Sequence, residues 1–95
     1  MRSYEVMYVL NPTLEEEATN ALIERFSGII TQAGGEIESV ERWGKRRLAY
    51  EIDELHEGFY VVTKFRAEKE TIEELRRVMK ITNEVLRYLL VRQDS

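Results

Sequence analysis

The sequence contains no cysteine, only one histidine and one proline, and no long apolar run. Without cysteine there is neither a disulfide scaffold nor a thiolate metal site. His56 cannot by itself form a metal centre or a catalytic triad, and we expect it in a turn. A membrane-spanning helix needs about 20 successive apolar residues, and no segment approaches that length. Residues 1–4 run directly into a strand pattern, so we expect no signal peptide.

The length and composition indicate one small folded domain. A chain of 95 residues supports a single core, so we expect one domain over residues 1–95 with little room for a deep active site. A content of 43% hydrophobic and 34% charged residues is typical of a globular protein rather than a disordered one. The net charge of −4 argues against nucleic-acid binding by overall charge, so any such binding depends on local cations.

Four segments alternate in the manner of β-strands. They are residues 4–10, residues 36–52 with an interruption at Gly44, residues 59–66 and residues 85–92. The rhythm of the second segment breaks between Ile37 and Val40, which predicts a bulge or bend. Its charged residues favour an edge position in the sheet, because charge discourages pairing between sheets.

Two segments have helical periodicity. Thr13 and Glu16 form a capping-box pattern that predicts a helix from Thr13 to the glycine pair at 34–35. A second capping-box pattern at Thr71 predicts a shorter helix, with an alternative start near Glu68. The predicted buried stripe of the first helix consists of Leu14, Ala18, Leu22, Phe26, Ile29, Ile30 and Ala33.

The order β-α-β-β-α-β predicts an α+β fold of the ferredoxin-like βαββαβ type. In it, a four-stranded antiparallel sheet carries both helices on one face, because the crossovers are right-handed. The other face is then bare. Alternation places Tyr8 in the core and assigns to the bare face an apolar surface typical of a contact. Its members are Met7, Val9, Tyr60, Val62, Leu89 and Val91.

No set of residues indicates an enzyme. The carboxylates fall in helix first turns, on helix surfaces and in the turn at residues 53–57, where solvated charges are usual. No glycine-rich phosphate loop follows a strand. The loop at residues 11–13 lacks the arginine that a small phosphatase of this fold requires. We therefore expect no catalytic residue, no metal, no cofactor and no small-molecule substrate.

An RNA-recognition motif is an alternative that the same fold allows, because its bare sheet stacks bases on aromatic side chains. Residues 7–11 and 58–62 are weakly similar to the two conserved strands of that motif. Val61, however, stands where an exposed aromatic residue is required, and Tyr8 falls on the core side.

The basic residues give a stronger signal. Residues 42–47 contain four cations, and the first and last strands, which are neighbours in this fold, carry Arg2, Arg87 and Arg92. Arg46 and Arg47 have few acids nearby, and the guanidinium fork suits phosphate groups. By contrast, Glu73 and Glu74 lie one helical turn from the cations of the second helix, which favours salt-bridged surface there. Those cations are Arg76, Arg77 and Lys80.

Residues 44–52, Gly-Lys-Arg-Arg-Leu-Ala-Tyr-Glu-Ile, resemble the signature of the family of the sixth protein of the bacterial small ribosomal subunit. Further similarity to that family covers essentially the whole chain at matching length and spacing. It includes residues 1–5, 10–12, 58–60 and 85–87. Asp53 departs from the pattern, because the family usually has a basic or small residue there.

The resemblance implies a non-enzymatic, cytoplasmic ribosomal protein that binds the central domain of small-subunit (16S) rRNA. Its implied partner is the eighteenth small-subunit protein, in a heterodimer, and no membrane contact is implied. A net acidic protein with only a few well-placed cations should bind RNA weakly alone, so a basic partner would supply the missing charge. The alternative is an RNA-recognition-like or protein-pairing module that uses the open sheet face away from the ribosome.

We expect two sets of contact residues. The RNA-binding set consists of Arg2, Arg46, Arg47, Arg87 and Arg92. The set that contacts the partner or RNA consists of Tyr50, Tyr60, Val62, Lys64 and Leu89.

Overall fold

The computed structural model describes residues 1–52 and 54–93, and its elements follow the predicted order. The elements are β1 (Arg2–Leu10), α1 (Glu16–Gln32), β2 (Glu36–Ile52), β3 (Leu55–Ala67), α2 (Lys69–Ile81) and β4 (Val85–Arg92). Strand β4 has the predicted bounds, whereas β1 begins two residues before the predicted start. In the part of the chain described, neither helix is long and apolar enough to cross a membrane.

The four strands form one antiparallel sheet in the order β2-β3-β1-β4, which confirms the ferredoxin-like prediction. Strands β1 and β3 are central, as expected for segments that are apolar on both faces. Strand β2 lies at one edge, as predicted, and β4 lies at the other. Both helices pack on one side, which we call the helix face, and the opposite side of the sheet is the free face.

The core lies between the helix face and the two helices. Tyr8 is fully buried there, as predicted, and its ring meets Phe26 edge-on with centroids 5.1 Å apart. The Tyr8 hydroxyl has no hydrogen-bond partner among the described residues. Burial raises the pKa of Tyr8, because the charged phenolate loses its hydration there. The nearby Thr63 hydroxyl and the Arg42 charge lower this pKa by less, and the Tyr8 hydroxyl completes no hydrogen bond with Thr63.

The predicted capping boxes are wrong. Asn11 Oδ1 accepts hydrogen bonds from the Thr13 backbone N–H (2.9 Å) and hydroxyl (2.7 Å), so Thr13 closes a turn instead of capping α1. Helix α1 begins at Glu16 with Glu15 as N-cap and no side-chain capping bond. Helix α2 likewise has Glu68 as its N-cap, as the alternative start predicted, and Thr71 is buried inside it.

The later start of α1 goes with a rotated buried stripe. Thr19 and Ile23 are buried, although they were not predicted, whereas Ala18 and Ala33 are exposed. Phe26 is buried as predicted. The other predicted members are either buried (Ile30) or partly buried (Leu14, Leu22 and Ile29).

Strands β2 and β3 form a hairpin that extends beyond the rest of the sheet. Strand β3 begins at Leu55, so His56 lies in a strand rather than in the predicted turn, with its Nδ1 3.6 Å from a Glu51 carboxylate oxygen. The pairing register of β2 shifts at three places, which confirms the predicted irregularity near Ile37. Asp53, where the sequence departs from the family pattern, lies outside the described residues.

The outer part of this hairpin folds onto the free face, which is therefore not bare. Leu48 and Val9 are both buried, although Val9 was predicted to line an open surface. A Cβ atom on Gly58 would lie 2.2 Å from Val9 Cγ1 and 3.2 Å from Leu48 Cδ2. The absence of a side chain at Gly58 thus lets Leu48 close over Val9 and form a second, smaller apolar cluster.

Candidate nucleic-acid interface

The sheet register distributes the five predicted RNA-binding arginines over two ends of the molecule. Arg92 pairs with Tyr4, near Arg2 at the start of β1, whereas Arg87 pairs with Val9 near the other end. Arg2 and Val9 are separated by roughly 23 Å along the strand, at about 3.3 Å per residue. Arg46 and Arg47 pair with Gly58 and Glu57, so they belong to the same end as Arg87.

Strand alternation also separates Arg46 from Arg47. Neighbouring residues of a strand point to opposite faces. Arg46 pairs with Gly58, whose missing side chain would point at Val9, so Arg46 lies on the free face. Arg47 lies on the opposite face of β2. Two of the five arginines, Arg46 and Arg87, therefore share the free face at one end of the sheet.

Arg2 and Arg92 lie at the other end, on the helix-face side. Arg2 alternates with core residues of β1, and Arg92 is paired with Tyr4. Both side chains are exposed. The backbone of the same region is fixed by the Gln93 N–H, which donates to the Ser3 carbonyl at 2.8 Å.

Arg87 contacts Tyr50 across the free face. Arg87 Nη1 donates to the Tyr50 hydroxyl at 3.2 Å, and the guanidinium carbon lies 5.6 Å from the ring centroid. Alternation along β2 does not assign Tyr50 to a face of the sheet, because the pairing register shifts between Arg47 and Ile52. The contact with Arg87 places Tyr50 on the free face, 62% exposed.

Arg46 makes a similar contact with Trp43, a residue outside both predicted contact sets. The guanidinium carbon of Arg46 lies 4.8 Å from the centre of the indole. Trp43 Nε1 donates to a Glu41 carboxylate oxygen at 3.2 Å, and 42% of the residue is exposed. The sequence did offer a signal, since the sole tryptophan directly precedes Gly44 and its cations.

The predicted contact residues nearer the middle of the free face differ in how much of each side chain is exposed to solvent. Leu89 is 53% exposed on edge strand β4, whereas Val62 is buried at 4% and offers a partner little surface. Tyr60 is half-buried. Lys64 Nζ lies 4.0 Å from a Glu5 carboxylate oxygen, so its charge is partly balanced on this face.

Cations of residues 42–47 also occur on the helix-face side of β2. Arg42 and Lys45 line a cleft of about 340 Å³ between β2 and the start of α1. Arg42 donates to the Asn20 side-chain oxygen across this cleft. Glu16 also lines it, so an acidic group faces the two cations. The basic segment therefore surrounds the β2 edge instead of forming one patch.

Among the cations of α2, Arg77 forms a salt bridge within the helix, as predicted. Its Nε and Nη2 atoms donate to the two carboxylate oxygens of Glu74 at 2.6 and 3.1 Å. These hydrogen bonds lower the pKa of Glu74 and raise that of Arg77. Arg77 is thus already paired within its own helix.

Known proteins that resemble the chain agree on one family. The sequence profile of the family described as Ribosomal protein S6 matches residues 3–92. The chain is 52% identical over 95 residues to small ribosomal subunit protein bS6 of Carboxydothermus hydrogenoformans, covering 100% of this chain and 99% of the relative. The chain belongs to the ribosomal protein S6 family.

Further family members give the same result in sequence and in structure. Small ribosomal subunit protein bS6 of Desulforudis audaxviator is 56% identical over 94 residues, which cover 99% of this chain and 100% of the relative. The crystal structure of 30S ribosomal protein S6 from Thermotoga maritima matches with a TM-score of 0.91 and 38% identity. That match covers 97% of this chain and 87% of the Thermotoga chain, so the predicted family and fold are both confirmed.

Proposed function

We propose that this protein is a structural component of the bacterial small ribosomal subunit and acts in the cytoplasm. In this role it binds the central domain of 16S rRNA together with the eighteenth small-subunit protein. The observation that carries the proposal is full-length similarity to proteins named small ribosomal subunit protein bS6. These matches span essentially all 95 residues.

The charge distribution supports a shared RNA site. The chain has a net charge of −4, so its overall electrostatic field repels RNA. Arg46 and Arg87 nevertheless present guanidinium groups on one face at the hairpin end of the sheet. Such groups bind phosphates in a forked geometry, but a few phosphate contacts give only weak, salt-sensitive binding. A basic partner bound beside this protein would add its own contacts to the RNA, so that two weak binding surfaces together give a high affinity.

The β4 side of the free face supports a protein contact. Leu89 and Val91 are exposed there on an edge strand, and Leu89 is paired with Met7. An edge strand with exposed apolar side chains offers both hydrogen-bonding backbone and hydrophobic area to a second chain. We assign this surface, with Tyr60 and Lys64 beside it, to the protein partner. The same apolar surface is what favours the alternative, a protein-pairing module that acts away from the ribosome.

Cosedimentation distinguishes the two functions. A tagged chain expressed in bacteria is expected to sediment with small subunits through a sucrose gradient and to remain there after a moderate-salt wash. A matched variant, Arg46→Ala with Arg87→Ala, is expected to shift toward the top of the gradient, since it loses both free-face guanidinium groups. Wild-type chain found only in fractions free of ribosomal subunits would contradict the proposal and favour the alternative.

A further inference from the structure

We propose that Trp43 and Arg46 form a binding site for one unpaired nucleobase of RNA, an inference that rests on the rRNA binding proposed above. The pair lies on edge strand β2, with the Arg46 guanidinium 4.8 Å from the centre of the indole. Unpaired bases are bound in proteins by stacking on aromatic rings and arginine planes. Here both kinds of plane occur together.

The indole is hydrogen-bonded within its own strand. Its Nε1–H is already used, because it donates to the Glu41 carboxylate at 3.2 Å. The indole therefore has no free polar group with which to recognise a ligand, and what it exposes is flat aromatic surface. An oriented ring loses little conformational freedom when a base stacks on it. Arg46 keeps guanidinium N–H groups available at its edge for a neighbouring phosphate.

Local charge favours RNA over protein as the occupant. The Arg46 guanidinium lies over the indole itself, while Lys45 and Arg47 lie on the opposite face of the same strand. An apolar partner surface would have to desolvate the Arg46 charge, whereas a nucleotide supplies a phosphate to pair with it. Glu41 is the acidic group in contact with the indole, and it approaches the Nε1 edge rather than the ring face.

The neighbouring strands extend the same arrangement. Along one row across the sheet, Gly44 of β2 pairs with Tyr60 of β3, and Tyr60 pairs with Val9 of β1. Val9 in turn pairs with Arg87 of β4, which contacts the Tyr50 ring. An arginine–aromatic pair thus lies near each edge of the sheet, with the Tyr60 ring and the Leu48 side chain that covers Val9 between them. At about 4.8 Å per strand, the β2 and β4 backbones are roughly 14 Å apart along this row, within reach of a few nucleotides of extended RNA.

The test uses Trp43 as its own reporter, since it is the only tryptophan of the chain. The full-length protein is titrated first with the eighteenth small-subunit protein and then with an unlabelled central-domain rRNA fragment. Trp43→Phe, carried through the same titration, gives the signal to subtract for tryptophans of the partner. Anisotropy of an end-labelled fragment measures RNA binding independently. We expect indole fluorescence to be quenched when RNA is added, and not when the partner alone is added.

Two substitutions test stacking by affinity. Trp43→Leu keeps an apolar side chain but removes the plane, and it is expected to weaken rRNA binding about tenfold, the usual effect of one base–aromatic contact. Trp43→Phe keeps a plane and is expected to stay within about threefold of wild type. Equal affinities for the Leu and Phe variants would overturn the inference. Thermal unfolding of both variants, expected near the wild-type temperature, separates this effect from a loss of fold.

The outcomes separate the two proposals. Quenching on addition of the partner alone, with no further change on addition of RNA, would show that protein covers Trp43 and would overturn the inference. RNA binding by anisotropy without any indole response would also overturn it, while the proposed function would stand. No RNA binding by anisotropy, even with the partner present, would count against the proposed function itself.

Discussion

At the scale of single residues, two arginines of the free face place their guanidinium groups against aromatic rings. The Arg87 guanidinium lies 5.6 Å from the Tyr50 ring centroid, and that of Arg46 lies 4.8 Å from the Trp43 centroid. A guanidinium placed over a ring gains a cation–π attraction of about 0.5–1 kcal/mol at exposed sites. It also loses less conformational entropy when it binds a phosphate, because its position is already restricted.

We expect Arg46→Ala with Arg47→Ala to weaken rRNA binding while leaving the fold intact. Both side chains are exposed, and loss of a charge-assisted hydrogen bond weakens binding by about tenfold or more for each contact. Filter binding with the partner present measures the change. Arg76→Ala with Lys80→Ala removes the same charge from α2 and serves as the matched control. Equal affinities for wild type and the Arg46/Arg47 variant would contradict the assignment.

The two single variants, Arg46→Ala and Arg47→Ala, add a geometric test. Because the two side chains lie on opposite faces of β2, one continuous phosphate surface cannot use both equally. We expect Arg46→Ala to account for most of the loss in filter binding, since Arg46 shares the free face with Arg87. A larger loss for Arg47→Ala would shift the RNA site to the helix-face side.

Tyr8 makes the stability of the protein depend on pH in the alkaline range. Burial raises the pKa of its phenol above the ordinary value of 10.0, so the folded state strongly favours the neutral form. This contribution is intact below pH 10 and is lost progressively as the pH rises toward the folded-state pKa. The slope approaches about 1.4 kcal/mol per pH unit.

Tyr8→Phe removes this titration. The free energy of unfolding, measured by urea denaturation at pH 8 and pH 11, is expected to fall for wild type by about 1 kcal/mol more than for the variant. The difference between the two proteins isolates the effect of Tyr8 from that of every group the two proteins share. At pH 8 the variant should be close to wild type, because the lost hydroxyl has no hydrogen-bond partner among the described residues. Parallel pH profiles would contradict the account.

At the scale of elements, the β2–β3 hairpin shapes the free face by folding Leu48 over Val9. Gly58 is the residue that permits this approach, since an added Cβ would lie 2.2 Å from Val9 Cγ1. The hairpin end also carries Tyr50 toward β4, where it meets Arg87. Packing within the hairpin and the arrangement of the candidate RNA site are therefore linked.

We expect Gly58→Ala to destabilise the protein by about 1–3 kcal/mol, the usual cost of overpacking. Urea denaturation measures this, and hydrogen exchange should show faster exchange confined to the outer hairpin. Gly28→Ala is the matched control, because Gly28 lies inside α1 with only the end of Gln32 nearby, at 3.9 Å. There alanine is expected to stabilise the fold by up to about 1 kcal/mol. A neutral Gly58→Ala would show that Leu48 does not close over Val9.

Periodicity predicted the elements well, because each strand and helix has a strong repeating pattern of its own. It failed at helix starts, where local side chains compete for the same backbone groups. Thr13 had the pattern of an N-cap, but Asn11 lies two residues earlier and accepts both of its hydrogen bonds. It also failed on both sides of Gly44, because each register shift reverses which residues share a face. Trp43 and Tyr50 could be placed only by their contacts.

At the scale of the whole molecule, the predicted arginines do not form one patch. Arg46 and Arg87 lie at the hairpin end of the sheet. At about 3.3 Å per residue, Arg92 lies roughly 17 Å from Arg87 along β4, and Arg2 lies roughly 23 Å from the Val9 position that pairs with Arg87. Their separation follows from strand pairing, which sequence spacing alone does not reveal. Strand order did bring β1 beside β4 as predicted, so the pairing of Tyr4 with Arg92 places Arg92 near Arg2.

We propose that the chain binds rRNA through a few cations and needs a basic partner to bind tightly. The most direct measurement is the affinity for a central-domain 16S rRNA fragment, with and without the eighteenth small-subunit protein, over a range of salt concentrations. We predict weak, strongly salt-dependent binding by the isolated chain and binding at least about 100-fold tighter with the partner, as joined footprints allow. Tight, salt-insensitive binding by the isolated chain, or no gain with the partner, would show that the chain does not depend on a basic partner for rRNA binding.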